Sequence, residues 1–170
     1  MSSKSSKTVP ATSPNASTSS TTPKRLHHVG NSLIQLEKIM WTKRYRPLQI
    51  DTDSMSDKEA AKMGVGVFSL ERQLAFEHAL QADEQVVILN NLNEALESAG
   101  LLTRFFILPD NTVLRPELIA KVDYYEVKQG WIVRFYLAEK KKSFLSCLLA
   151  DEQECRLLFQ SLEAHLAAKS

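Results

Sequence analysis

Glycine and cysteine are scarce in this chain, with five glycines and two cysteines among 170 residues. The glycines are scattered at Gly30, Gly64, Gly66, Gly100 and Gly130, which excludes a glycine-rich phosphate loop. Gly64-Val65-Gly66 is only a GxG fragment, without the third glycine and without a strand before and a helix after it. The two cysteines, Cys147 and Cys155, are too few for a disulfide framework and show no metal-ligand spacing. They read as small buried hydrophobes. Net charge is almost absent: 21 Lys and Arg stand against 20 Asp and Glu, a balance of +1. That excludes a whole-chain attraction to nucleic acid and leaves room only for a local basic patch. No apolar run approaches the roughly 18 residues of a membrane span, and the polar N-terminus has no apolar signal core. HExxH, CxxC and nucleophile-elbow patterns are missing. No cofactor and no metal site is expected, and the expected compartment is the cytoplasm.

What is present begins with a tail. Residues 1–24 are rich in Ser, Thr and Pro with almost no large apolar group. Such a segment buries too little surface to offset its ordering entropy, so disorder is expected there. Residues 25–170 are expected to form a single α+β domain. Leu33, Leu36, Ile39 and Met40 recur at helical spacing, which predicts a helix over 32–44 ended by Pro47. Ser56 with Glu59 makes a capping box for a helix over 57–63. Val65, Val67 and Phe68 suggest a short extended piece, and Ser69 offers a cap for a helix over 70–81. Leu89, Leu92, Leu96 and Ala99 share one helical face ahead of Gly100, which predicts a helix over 83–99. Val86 to Leu89 also fits a buried strand. Residues 25–100 are thus expected to be mainly helical.

After Gly100 the apolar period moves toward two. Strands are expected over 102–108 and 112–114, about a Pro109-Asp110-Asn111 turn, with one helical turn at 116–118. Three alternating runs follow, at 119–127, 131–138 and 143–149, separated by turn signals. They predict an antiparallel meander within 101–149. Trp131, Val133, Phe135 and Leu137 face a core, and Arg134 and Tyr136 face the other way. Asp151 and Glu154 then cap a helix over 151–168, with Cys155, Leu158, Phe159, Leu162 and Leu166 as its apolar stripe. The expected fold class is α+β: a helical N-terminal half, then a C-terminal antiparallel β-meander packed against a C-terminal amphipathic helix.

Two groups of residues stand out as binding candidates. Trp41, Lys43, Arg44, Tyr45 and Arg46 interleave cations with aromatics, as a surface for phosphates and stacked bases would. The same spacing suits a helix end, with Trp41 and Tyr45 as a packing pair. Lys140, Lys141 and Lys142 offer a basic hairpin tip, which also discourages edge-to-edge pairing. The second group is Tyr124, Arg134 and Tyr136 on the amphipathic sheet face, where polar tips ask for water or a partner. His78, His165 and the Asp123 and Glu126 carboxylates are of kinds that ordinary surfaces supply. The expected function is a non-catalytic cytosolic binding or adaptor module acting through protein contacts. The alternative is a nucleic-acid-binding accessory protein using the patch at 41–46.

Overall fold

The computed structural model describes residues 25–46, 55–138 and 142–169. The expected disordered tail at 1–24, Pro47, and Lys140 and Lys141 of the last hairpin lie outside the described residues.

Strands dominate the described residues of the N-terminal half, which corrects the expectation that it is helical. β1 (Leu26–Val29) and β2 (Ser32–Gln35) form a hairpin. β3 (Trp41–Tyr45), β4 (Gly64–Phe68) and β5 (Gln73–His78) follow, each antiparallel to the next. The helix expected over 32–44 is therefore β2, a 3-10 turn at Leu36–Lys38, and β3. Its stripe does not hold together: Leu33 is 55% exposed, while Leu36 and Ile39 are buried alongside Ile34, Trp41 and Thr42. The two-residue loop Gly30-Asn31 closes the hairpin, with Gly30 at φ +56° where a side chain would be strained. A Cβ there would also stand 2.5 Å from the Phe76 carbonyl oxygen.

The helix expected over 70–81 is β5. Ser69 does bond backbone amides, but those of Glu71 (3.3 Å) and Arg72 (3.2 Å), inside a tight turn between β4 and β5. The hydroxyl that would cap a helix serves a turn equally well. Pairing with β4 then settles the segment as a strand, which the local pattern of apolar residues could not do.

Three helices are described. α1 (Asp57–Ala60) is a single turn carrying the expected capping box between Ser56 and Glu59. α2 (Ala82–Ser98) buries Gln85, Leu89, Leu92 and Leu96 along one face. Val87, central to the competing strand reading, is 56% exposed. Gly100, at φ +71°, ends α2: its amide bonds the Glu97 carbonyl and the Leu101 amide bonds that of Leu96. α3 (Glu152–Ala167) is capped by Asp151, whose Oδ1 accepts from the Glu154 amide at 2.9 Å. Glu154 bonds back to the Ala150 amide (2.8 Å), one residue upstream of a reciprocal cap. Cys155, Leu158 and Leu162 are buried on α3, and Leu166 is exposed.

Residues 102–108 are a 3-10 turn at Leu102–Arg104 followed by β6 (Phe106–Ile107). β6 and β7 (Val113–Leu114) do not belong to the meander. They complete a five-stranded sheet in the order β5-β4-β3-β7-β6. A 3-10 turn at Pro116–Leu118 leads into β8 (Ile119–Val127), β9 (Gly130–Leu137) and β10 (Leu145–Leu149), a separate three-stranded antiparallel sheet.

The five-stranded sheet is covered on both faces. Val67, Ala75 and Val113 join Leu92, Leu96, Val29 and Ile34 in a core under α2 and the first hairpin. Trp41, Phe106 and Leu114 join Val133, Phe135, Cys147, Leu158 and Leu162 in a second core under the meander and α3. Truncating Leu96, fully buried under α2, to alanine is expected to cost about 2–5 kcal/mol in urea unfolding. Truncating Leu33, which the helical stripe would have buried, is expected to stay within about 0.5 kcal/mol.

Candidate functional site

The outer face of the meander is set by register. Lys121 stands opposite Tyr136, Asp123 opposite Arg134, and Tyr125 opposite Ile132. On the next strand Ser146 lies beside Arg134 and Leu148 beside Ile132. Arg134 is fixed from several directions. Its Nε donates to Asp123 Oδ1 at 2.9 Å and a terminal nitrogen to Oδ2 at 3.4 Å. The guanidinium lies 4.4 Å from the Tyr125 ring centre and 5.5 Å from that of Tyr136. Lys121 reaches Asp123 at 3.2 Å and sits 5.0 Å from the Tyr136 ring. Burial pushes the Asp123 carboxyl upward, but hydrogen bonds from Arg134 and Lys121 outweigh it and hold the group below the ordinary carboxylate range. The same bond holds the Arg134 guanidinium more firmly protonated.

Arg134 and Tyr136 are thus brought together, and Tyr124 is on the opposite side. Tyr124 pairs with Val133 and points to the core face, against Trp131 (5.7 Å) and Phe159 (5.2 Å). Its hydroxyl reaches Glu152 at 3.5 Å, at the start of α3. The residues that share a face with Arg134 are Lys121, Asp123 and Tyr125. Period-two alternation along β8 separates Tyr125 from Tyr124, but only the cross-strand register says which of them joins Arg134.

The basic run at 41–46 is a strand, and alternation splits it too. Trp41 is only 7% exposed, stacked on Phe68 with ring centres 5.3 Å apart and planes 6° apart, and edge-on to Phe144. Its ring is not available to a nucleobase. Lys43 lies over the Tyr45 ring at 5.1 Å. Arg44 turns toward α2, where Nε donates to Gln85 Oε1 (3.1 Å) and a terminal nitrogen to the Ala82 carbonyl (3.3 Å). Gln85 is itself fully buried and donates to the Tyr45 and Ala79 carbonyls, each at 3.0 Å. It ties the strand end to the helix, a role that a lone glutamine in an apolar stripe does not advertise. Burial lowers the Arg44 pKa; Asp110 opposes this and Arg46 adds to it.

A cavity of about 440 Å³ opens beside this strand end. Lys43, Arg44, Arg46 and Lys62 line it together with Asp110. Ile132, Ser146 and Leu148 of the meander form another part of its wall, so the basic run and the outer sheet face meet there. Cys147 borders the cavity with its thiol pushed up to about 12, by burial first and the Asp110 charge second.

The histidines are engaged separately. His78 Nε2 is 2.9 Å from the Ala60 carbonyl oxygen, and His165 packs edge-on to Phe106 at 5.6 Å. Burial lowers the His165 pKa, with Lys169 acting in the same direction. No helix among the described residues is long and apolar enough to cross a membrane. No family model, curated protein or solved structure matched the chain.

The buried Cys147 thiol yields a pH signature. Its pKa rises from 9.0 to about 12 on folding, so the unfolded chain loses that proton first. Stability is expected to fall as pH climbs from about 9 toward about 12, because the folded state binds more protons than the unfolded one in that window. Parallel denaturation of the chain and of Cys147→Ala across this range should show a shallower decline in the variant.

Proposed function

We propose that this chain is a binding module, not an enzyme, and that it docks another protein on the outer face of its C-terminal sheet. The observation that carries this reading is the Arg134 guanidinium, held by Asp123 and flanked by the rings of Tyr125 and Tyr136. Arginine and tyrosine are the residues that protein interfaces concentrate at their energetic centres. Holding them in place beforehand reduces the side-chain entropy lost on association, about 0.5–1.5 kcal/mol for each rotamer-rich group. Leu148, 41% exposed, extends the same face with apolar surface. With Lys121 and Arg134 against Asp123, the face favours a partner surface combining apolar groups with carboxylates. The unpaired, buried thiols of Cys147 and Cys155 suit a partner met in the reducing cytoplasm. Nucleic acid is the weaker reading, because burial of Trp41 removes one of the two aromatics of the patch at 41–46 from stacking.

A photo-crosslinking residue placed at Tyr125 tests the proposal, with one at Gln160, exposed on α3, as control. A discrete protein adduct is expected from position 125 and not from 160. Arg134→Glu should reduce it at least about tenfold, a loss on the scale of one interface hot spot. The circular dichroism spectrum should stay unchanged. Equal labelling from both positions, persistence of the adduct in Arg134→Glu, or an adduct that nuclease removes would sink the reading.

A further inference from the structure

β3 pairs with β7 only at Trp41 and Leu114, so its last residues leave that side of the strand open toward β10. The cavity of about 440 Å³ fills this gap. We propose that it is a binding site for a small, soluble, phosphorylated ligand, with the phosphoryl group held by Arg44, Arg46 and Lys62.

Charge is the first support. Among the described residues, Lys43, Arg44, Arg46 and Lys62 line the space against one carboxylate, Asp110. Arg44 is the second. Its protein partners are neutral oxygens, Gln85 Oε1 and the Ala82 carbonyl, and no carboxylate of the described residues lies within ion-pair distance of it. Those two bonds hold the planar fork at the cavity wall and leave its other N–H groups to an incoming acceptor. Among the described residues the nearest opposing charge is Asp110, which acts on Arg44 from beyond ion-pair distance, so an incoming anion would gain a closer contact with this partly buried guanidinium. The third support is shape. The volume falls within the roughly 300–1,000 Å³ of small-ligand pockets. Tyr45, Met63, Ile132 and Leu148 supply apolar wall for the body of the ligand.

A phosphoryl group satisfies this set better than a carboxylate does. Its several oxygens take the Arg fork bidentately and still reach a second cation, and a diphosphate brings enough charge for the whole cluster. A nucleic acid strand fits less well, since Trp41 is sealed in the core and Tyr45 is the one aromatic side chain among the described residues that lines the cavity.

Calorimetry and thermal unfolding of the full chain at fixed ionic strength test this, with pyrophosphate, ADP, citrate and a single-stranded oligonucleotide as probes. Pyrophosphate and ADP are expected to bind and to raise the unfolding temperature, and citrate is not. Lys62→Gln and Arg46→Gln, both at exposed positions, should each weaken ADP binding, and Arg44→Gln by about tenfold or more, the scale of a lost charge-assisted hydrogen bond. Arg104→Gln, away from the cavity, should leave it unchanged. Absence of binding by both phosphates, equal binding of citrate, tighter binding of the oligonucleotide, or indifference to Lys62→Gln and Arg46→Gln overturns the assignment. No partner protein is needed, so the result stands apart from the crosslinking at the sheet face.

Discussion

Strand β3 meets β7 through one residue pair, Trp41 opposite Leu114. At the next position the Thr42 hydroxyl, not a backbone carbonyl, accepts the Val113 amide at 2.9 Å, and the ladder stops. Both sides of the molecule depend on this short seam. Before it, Trp41 stacks on Phe68 and touches Phe144, drawing the five-stranded sheet against the meander and α3. Beyond it, residues 43–45 pair with β4 on one side only, and Lys43, Arg44 and Arg46 line the cavity on the other.

Gln85 and Arg44 near this seam are satisfied by a small number of bonds between elements. Gln85 reaches Tyr45 and Ala79 from inside an otherwise apolar helix face, and Arg44 returns the contact. A buried amide left without partners would cost about 1–3 kcal/mol, so the glutamine and the strand end specify each other. On the far sheet the logic is different. Asp123, Arg134 and Lys121 are partly open to water, where an isolated ion pair adds little. What the arrangement supplies is order: three charged groups and two tyrosine rings hold one another in a fixed pattern on a twisted sheet.

Local signals suffice where one segment contains its own explanation. The Ser56–Glu59 box, the Asp151 cap, the Gly100 terminator and the turn at Pro116–Leu118 all form where their residues stand. Each needs only neighbours within four or five positions. Residues 32–44 and 70–81 misled because leucines three and four apart also occur in strands interrupted by turns. Leu33 faces water, and Leu36 and Ile39 are buried from a 3-10 turn and the extended residue after it. The binding candidates divided along the same line. The cationic character of 43–46 was plain from composition, whereas the burial of Trp41 and the side occupied by Tyr124 were not.

The amino-acid sequence by itself determined the alternating C-terminal runs, the capped closing helix and the presence of cations near residue 44, because period and caps are short-range properties of the chain. Tertiary structure alone decided that the N-terminal half is sheet, that Tyr125 and not Tyr124 flanks Arg134, and that the free side of β3 lies across a cavity from β10. Those outcomes rest on which distant strands pair and in what register, and a shift of one residue would have turned every side chain to the other face.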